Sequence, residues 1–593
     1  MNTIKKLLIL QVCLAAIWSI FPIQAYAIDP QYIFIRKSPM HCVPDCSYLW
    51  NFDIPGNFNA TAINDVLNLV GTRGTEQRKL GIGVELNYNH VYDFNRVKTS
   101  LQNLLTSTQT ASVPVFINLS GFQWWGDVNL GWNGRPDLWN WWDPAKSGYN
   151  PENKNNVEWT NWNNSSATKK AWRNWGGGDF EVRPHPNLAS RAFIDSSKTR
   201  LAELVPIIVD WYTALPADKK WLLGGVSNGT ENDIGINYHV YANNDIPLNN
   251  LGQSLQLGYA AVKTAGIRSS GGPPTVEELN EVIRRYQNEL DEFIYDKGIP
   301  RSKIFNHTGA SDIFPGTLPP GLTFPTTAGA LTPYGSPGWS FYGDVNRNPQ
   351  NYSGLSFALD PITGVNHSEW ASPEWDPMIL HDANEYQNWV NSLQNTLNFR
   401  NNRSVNISNW ENTVRPYTEV LHAIQTVLNE SPSCWITAPQ METITNSGGN
   451  VTLTWQKGNY DHAYLRISTT GNFGIDGILT LTGGSVDYVK YGAIDITTIT
   501  KTGLNPGKYY WQFTADGCVT AQYYFQNRTS DGSFMVGSLP GDANADGVVN
   551  TADYTIWANH YQQAQSGQEN GDFNQDNQVN GIDYTIWLNN FAE

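Results

Sequence analysis

The amino-acid sequence predicts three modules: a (β/α)8 barrel over residues 28–432, an antiparallel β-sandwich over 433–538 and a small helical module over 541–593. The first region alternates apolar runs with amphipathic stretches. The second has short alternating runs rich in Thr, Gly and Tyr, and the third is an internal repeat. A chain of 593 residues is also too long for one ordinary domain.

Eight strand-like runs in the first region predict the barrel. Stretches with apolar residues three to four positions apart, such as Lys198–Leu215 and Val276–Tyr295, separate most of them and are typical of helices. This alternation favours a parallel sheet covered by helices, with the active site at the carboxyl ends of the strands. The strand candidates are Tyr32–Arg36, Gly81–Leu86, Val113–Leu119, Trp221–Ser227, Lys303–His307, Trp339–Tyr342, Ser368–Glu374 and Val405–Trp410.

The second region alternates apolar and polar residues in short runs, for example over Val451–Trp455 and Tyr509–Thr514, as strands with one buried face do. Together with Trp455 and Tyr510, this pattern resembles fibronectin-type and immunoglobulin-like modules. The resemblance implies a spacer, and sugar binding is the alternative role.

Residues 1–27 have the features of a secretory signal peptide. Lys5 and Lys6 precede the apolar run Leu7–Ile20, and Ala25-Tyr26-Ala27 supplies a cleavage site. A membrane anchor is less favoured because Gln11 interrupts a run that is short for a bilayer. No later stretch is apolar enough to cross a membrane, so the mature chain is expected to be secreted.

Composition indicates the class of ligand. A formal charge of −16 makes nucleic acid an unfavourable partner, whereas 24 Trp and 28 Tyr with abundant Asn suit an uncharged sugar. Cys13 leaves with the signal peptide, and the remaining four cysteines suit two disulfides. The pairs Cys42–Cys46 and Cys434–Cys518 are expected, and zinc binding by Cys42, Cys46 and a histidine is a weaker alternative.

The C-terminal repeat predicts two calcium sites. Residues 541–557 and 571–587 align at an offset of 30, and each copy places oxygen-bearing side chains at loop positions one, three, five, nine and twelve. Position seven supplies a main-chain carbonyl, and this set suits a hard cation. Gly547 and Asn577 tolerate the left-handed turn at position six. The predicted ligands are Asp542, Asn544, Asp546, Val548, Asn550 and Asp553, then Asp572, Asn574, Asp576, Gln578, Asn580 and Asp583.

These duplicated loop–helix units resemble a type I dockerin over all 53 residues of the module. The resemblance implies a cohesin-like partner, contacted near loop positions ten and eleven. Those positions hold Thr551-Ala552 and Gly581-Ile582, which depart from the commonest Ser/Thr pairs.

Three glutamates lie at predicted strand ends in the barrel: Glu231, Glu374 and Glu411. Hydrolysis of a glycosidic bond needs two carboxyl groups on opposite sides of that bond. The layout resembles the clan of retaining (β/α)8 glycosidases. This implies Glu231 as acid/base after strand four, Glu374 as nucleophile after strand seven and Trp410 as a sugar platform, although Thr230 replaces the usual Asn before the acid/base.

Each assignment has an alternative. Glu369 competes with Glu374 as nucleophile, because the odd spacing places the two on opposite strand faces. Glu411 is a better candidate for capping the last helix, and Glu85 for a salt bridge or a sugar hydroxyl.

Residues 120–176 contain ten tryptophans among Asn, Gly and Asp, and a loop this long is usually functional. About half of these rings are expected to fill a small core. Trp124, Trp125 and Asp127 are the best candidates for substrate contacts because they follow strand three most closely. His307 and His239 are polar lining candidates or structural histidines.

The sequence therefore predicts a secreted glycoside hydrolase that acts on a polysaccharide. A barrel that binds carbohydrate without cleaving it, and a cell-surface or scaffold-associated structural protein, are the alternatives.

Overall fold

The computed structural model describes most of the chain. Residues 1–27, the four cysteines expected to pair, and Trp124, Trp125, Asp127, His239, Asp546 and Val548 lie outside the described residues, so their roles stay predictions. The described residues are 30–36, 59–89, 94–121, 134–174, 179–234, 236–237, 240–242, 246–248, 255–313, 318, 320–359, 369–379, 384–408, 410–431, 440–447, 450–456, 462–468, 489–491, 498–504, 507–517, 526–536, 540–544 and 549–591.

Eight parallel strands close into a barrel, as the sequence predicts. Each strand pairs with the next one along the chain, and the first also pairs with the eighth. The strands are β1 Gln31–Arg36, β2 Arg78–Asn87, β3 Val115–Ser120, β4 Leu223–Asn232, β5 Ile304–Thr308, β6 Gly338–Tyr342, β7 Trp370–Asp376 and β8 Asn402–Ile407.

Among the described residues of the barrel, six long helices cover its outside, and their apolar faces join the outer strand residues in one hydrophobic core. They are α1 Ala60–Val70, α2 Phe94–Ala111, α3 Arg191–Ala214, α4 Val276–Asp296, α5 Glu385–Asn398 and α6 Thr418–Asn429. Helix α4 begins with a capping box between Thr275 and Glu278, which satisfies two free main-chain N–H groups. Shorter helices span Pro136–Trp139, Tyr259–Thr264, Asp344–Arg347 and Ser353–Ala358. Among the described residues, no helix is both long and apolar enough to cross a bilayer.

A layer of aromatic side chains fills the barrel interior near the amino ends of the strands. Tyr32, Phe34, Phe116 and Phe305 form a buried cluster of their own with Ala371. Glycine at position 224 makes room for it, because a Cβ there would lie 2.3 Å from the Phe34 ring. The aromatic layer closes the amino end of the barrel, so polar side chains are left at the carboxyl end.

Two antiparallel sheets follow the barrel. One has the order β9–β10–β13 and the other β12–β11–β14–β15. Val451 and Trp455 of the first sheet share a hydrophobic core with Leu465 and Phe513 of the second. The strands are β9 Gln440–Ser447, β10 Asn450–Gln456, β11 His462–Ser468, β12 Val489–Tyr491, β13 Thr498–Lys501, β14 Gly507–Gly517 and β15 Gln526–Val536.

Two helices form the C-terminal module: α7 Thr551–His560 and α8 Gly581–Asn590. Their core is small and is built around Trp557, Trp587 and Val579. A domain of this size buries too little apolar surface for a large stability margin of its own.

Replacing Phe34 by Ala should lower the free energy of unfolding of the barrel by about 3–5 kcal/mol, because it opens a cavity in the inner aromatic layer. Denaturant unfolding of the full chain measures the change. Phe357→Ala is the matched control, because that ring is 57 % exposed and its loss should have little effect. Equal stability of the two variants would contradict the role assigned to the inner layer.

Candidate functional site

Glu231 lies at the end of β4, where the strand bulges. Between the β4–β5 pairs Asn228–Asn306 and Asn232–Thr308, β4 has three intervening residues and β5 has one. Within this bulge Glu231 has a φ of 49°, a left-handed conformation that is uncommon for a residue with a Cβ atom. Bulges next to active sites commonly redirect a side chain, and here the bulge carries the carboxylate that the sequence singled out.

Glu374 lies in β7 beside a second bulge. Gly338 pairs with Ala371 and Ser340 with Glu374, so β7 has one residue more than β6 over this interval. This extra residue interrupts the strict alternation of faces, so face alone does not separate Glu374 from Glu369.

The two glutamates instead occupy opposite ends of the strand. Glu369 is 2 % exposed, precedes β7 and pairs with Arg403, whose Nε donates to it at 2.8 Å. Arg403 also donates to the carbonyl of Pro30, just before β1. Glu369 is therefore part of a buried ion pair at the amino end of the barrel, and Glu374 is at the carboxyl end.

Tyr342, the last residue of β6, joins Glu231 and Glu374. Its hydroxyl donates to Glu231 Oε1 at 3.1 Å and is also within hydrogen-bonding reach of the Glu374 carboxylate. Burial and the two carboxylates raise the pKa of Tyr342 well above its usual value, so the phenol keeps its proton. Glu231 and Glu374 therefore meet at one hydrogen-bond donor, although they lie on different strands.

Arg36, the last residue of β1, pairs with carboxylates from two other strands. Its guanidinium forms one ion pair with Glu85 of β2 and another with Glu374 of β7. Burial alone would raise the pKa of Glu374, but the guanidinium outweighs it and holds that pKa below the usual value. The carboxylate of Glu374 is therefore ionised at neutral pH. The salt bridge of Glu85 is one of the two roles expected for it.

His307 is fully buried below this group, so the prediction that it lines a substrate surface does not fit the structure. Its Nε2 lies 2.8 Å from Ser340 Oγ, and its Nδ1 lies 3.5 Å from Asn118 Nδ2. Burial lowers the pKa of His307 to about 3, so the ring is neutral. This neutral imidazole supports the layer beneath the carboxylates.

Trp410 also differs from its predicted role. It lies beyond the end of β8, at the start of the π-helix Trp410–Val414, and its ring is 1 % exposed within the main core. A sugar platform needs an open ring face, so a core role fits Trp410 better. The main chain of Glu411 belongs to the same π-helix.

The described part of the aromatic loop forms a compact layer. Trp139, Trp159 and Trp162 are buried, whereas Trp141 and Trp142 are partly buried against the same core. Four of the indole N–H groups donate to main-chain carbonyls at 2.6–3.0 Å, those of Trp139, Trp141, Trp159 and Trp162. Trp139, Trp159 and Trp162 are therefore structural, because they are buried and their N–H groups are bonded within the protein.

Glu158 anchors this loop to the next part of the barrel. Its carboxylate is fully buried and accepts from the N–H groups of Gly258, Ala260 and Ala261 at the start of a short helix, the first at 2.8 Å. Burial raises the pKa of Glu158 to about 8 despite these bonds. The loop after β3 is thereby held against the segment that follows β4.

The second C-terminal loop fits a calcium ion. The N–H of Asp576 donates to the side chains of Asp572 and Asn574, which brings the oxygens of positions one, three and five into one turn. Asn577 has a φ of 64°, the left-handed turn expected at position six. Carboxylate and amide oxygens are hard ligands of the kind calcium takes.

Position twelve closes each loop in the same way. Asp583 accepts from the N–H groups of Phe573, Asn574 and Asn580, and Asp553 accepts from the equivalent groups of Ala543, Asn544 and Asn550. Among the described residues, no three Asp, Glu, His or Cys side chains form a metal-binding group by themselves.

Two tryptophans connect the loops. Trp557 of α7 donates to the carbonyl of Asn580 at 3.0 Å, and Trp587 of α8 donates to the carbonyl of Asn550 at 2.8 Å. The acceptors are the position-nine residues of the opposite loops. Glycine at 571 permits this approach, because a Cβ there would lie 2.7 Å from Trp557 Cα.

Comparison with known proteins identifies the C-terminal module. Residues 540–591 match the family model of the dockerin type I domain. The chain therefore carries a dockerin type I domain, and such domains bind calcium and dock on cohesins. No curated protein matches the chain.

Several solved structures are similar at a low level. A modular endo-β-1,4-mannanase from Cellulomonas fimi has 11 % identity and a TM-score of 0.28, with 80 % of this chain and 89 % of that chain covered. An α-amylase from Malbranchea cinnamomea has 9 % identity and a TM-score of 0.26, covering 80 % and 96 %. An engineered protein has 12 % identity and a TM-score of 0.28, covering 80 % and 88 %. Similarity at this level assigns no activity.

Removing calcium from the full chain should unfold the dockerin domain and leave the barrel folded. An ion held at 100 times its dissociation constant stabilises a fold by about 2.7 kcal/mol, a large share of the stability of so small a domain. Calorimetry with a chelator should show one transition shifted to lower temperature and the barrel transition unchanged. Adding calcium back should return the shifted transition to its original temperature. A calorimetric trace that the chelator leaves unchanged would contradict calcium binding by this domain.

Proposed function

We propose that this chain is a secreted glycoside hydrolase that cleaves glycosidic bonds of a polysaccharide. In this proposal Glu374 attacks the anomeric carbon and forms a glycosyl-enzyme. Glu231 first gives its proton to the leaving oxygen, then takes one from the water that releases the product. The configuration of the sugar is retained because the two displacements each invert it.

The observation that carries this proposal is the shared hydroxyl of Tyr342. Two carboxylates that both reach one hydroxyl have these oxygens at most about 6 Å apart, since each hydrogen bond spans roughly 3 Å. Retaining glycosidases hold their carboxyl groups about 5–5.5 Å apart, whereas inverting enzymes need roughly 6.5–9.5 Å to admit a water. The spacing at Tyr342 therefore favours retention.

The charges support the same division of roles. Arg36 keeps Glu374 ionised, as a nucleophile must be. The side chain of Glu231 is partly exposed, so it has access to a leaving group and to water. Tyr342 stays protonated, so its hydroxyl can donate a hydrogen bond to either carboxylate, one at a time.

The remaining modules fit an extracellular enzyme. We propose that residues 1–27 direct secretion, that the two sheets between 433 and 538 form a β-sandwich spacer, and that the dockerin holds two calcium ions and attaches the enzyme to a cohesin-like partner. Trp124, Trp125 and Asp127 remain the proposed substrate contacts, since they follow β3 most closely in sequence.

Glu374→Gln should abolish hydrolysis, with kcat/KM reduced roughly 10⁴-fold or more, because the nucleophile is lost. Glu231→Gln should reduce it about 10²–10⁴-fold, the usual contribution of a general acid or base. Release of reducing ends from a panel of polysaccharides measures both. Glu203→Gln, which alters a surface ion pair with Lys98, is the matched control and should keep full activity.

Full activity in both site variants would reject the assignment. If the wild-type protein binds polysaccharides and cleaves none, the barrel is a binding module, which is the alternative function. Proton NMR of the first anomer released distinguishes retention from inversion.

Arg36→Met should move the acid limb of the pH–activity profile to higher pH. Without the guanidinium, burial raises the pKa of Glu374 against the weaker opposing effect of the Tyr342 hydrogen bond, so the carboxylate becomes protonated and inactive at a pH where the wild type still works. Arg36→Lys should partly restore the wild-type limb. Arg285→Met, a surface change, is the control. An acid limb that stays in place in Arg36→Met would refute this role.

A further inference from the structure

Carboxylates outnumber cations in the site around Tyr342. Three acidic side chains, those of Glu85, Glu231 and Glu374, accompany one guanidinium, that of Arg36. Because burial keeps His307 neutral, it adds no positive charge. The described site therefore has an excess of negative charge at neutral pH.

The single guanidinium is already engaged. One terminal nitrogen of Arg36 pairs with Glu85 and the other with Glu374, and its side chain is 12 % exposed. A bidentate contact with a carboxylate or sulfate on a sugar needs at least one of these nitrogens, because it uses either both of them or one of them with Nε. Glu85 therefore occupies the position that an anionic substrate group would need.

In the parts of the barrel sequence that the structure does not describe, acidic residues outnumber Lys and Arg. Between residues 30 and 431, the segments outside the described residues add one basic side chain, Lys37, and seven aspartates. The aspartates are Asp45, Asp53, Asp93, Asp127, Asp245, Asp360 and Asp382.

We infer that Glu85 makes this site selective for neutral glycosyl units and excludes sugars that carry a carboxylate or sulfate. The inference rests on the proposed glycosidase function and specifies its substrate class. A uronate carboxylate bound near Glu85 and Glu374 meets like charges within a few ångströms, where screening by water is incomplete. A neutral hydroxylated ring meets no such repulsion and can donate hydrogen bonds to the same carboxylates.

A matched pair of substrates tests the inference. The probes are a neutral polysaccharide that the enzyme cleaves and the same polymer partly oxidised at C6 to the uronate. We expect kcat/KM for the uronate form to be on the order of 100-fold lower. The difference should persist in 0.5 M NaCl, because salt screens repulsion from the net charge of the whole protein but not contacts inside the site. Cleavage of both forms within about threefold would overturn the inference.

Variants of Glu85 test the residue itself. Glu85→Gln removes one of the two carboxylates that pair with Arg36. The kcat/KM for the uronate form divided by that for the neutral form should therefore rise at least tenfold, whatever the change in absolute rate. Glu85→Asp keeps the charge and should keep the wild-type ratio, which guards against a folding artefact. Glu203→Gln should also leave the ratio unchanged. An unchanged ratio in a folded Glu85→Gln variant would show that Glu85 does not determine the selectivity.

Binding separates this inference from the proposed activity. Affinity electrophoresis of Glu231→Gln in gels containing the neutral or the oxidised polymer should show retardation by the neutral form alone. If the wild type cleaves no polysaccharide but this preference holds, the glycosidase proposal fails and the charge selectivity stands. If the enzyme cleaves both forms, the glycosidase proposal stands and the selectivity fails.

Discussion

The ion pairs of Arg36 with Glu85 and Glu374 hold the carboxyl end of the barrel together. They connect β1, β2 and β7 through one buried guanidinium, and they fix the charge of Glu374. Desolvating three charged groups is costly unless they are paired, so the group is stable only as a set. The aromatic layer below it, built around Phe34, keeps water from the lower barrel and supports this polar layer.

The positions of the side chains in the site depend on bulges in two of the barrel strands. The extra residues in β4 and β7 lie next to Glu231 and Glu374, and Tyr342 of β6 receives both side chains. A regular barrel would place residues on each strand by strict alternation. The bulges depart from that alternation, which allows side chains of two strands to reach the hydroxyl of a third.

Apolar runs separated by helix-like stretches were enough to predict all eight barrel strands. The spacing of oxygen-bearing residues was enough to predict the dockerin loops. Arg36 and Tyr342 were missed because their importance depends on partners distant in sequence, although each is a polar residue that ends a strand. The predicted role of Trp410 as a sugar platform does not fit its burial. An aromatic residue that follows a strand has the same sequence pattern whether the next turn buries its ring or leaves it open. The bulges left only a weak signal, Pro373 in β7.

The crossed tryptophans make the dockerin repeats mutually dependent. Trp557 and Trp587 each find their acceptor in the other repeat, at Asn580 and Asn550. A single repeat would lose both these bonds and the shared core, and would leave its tryptophan exposed to water. The domain therefore behaves as an obligate intramolecular dimer, in which gene duplication produced a unit that neither copy could have formed by itself.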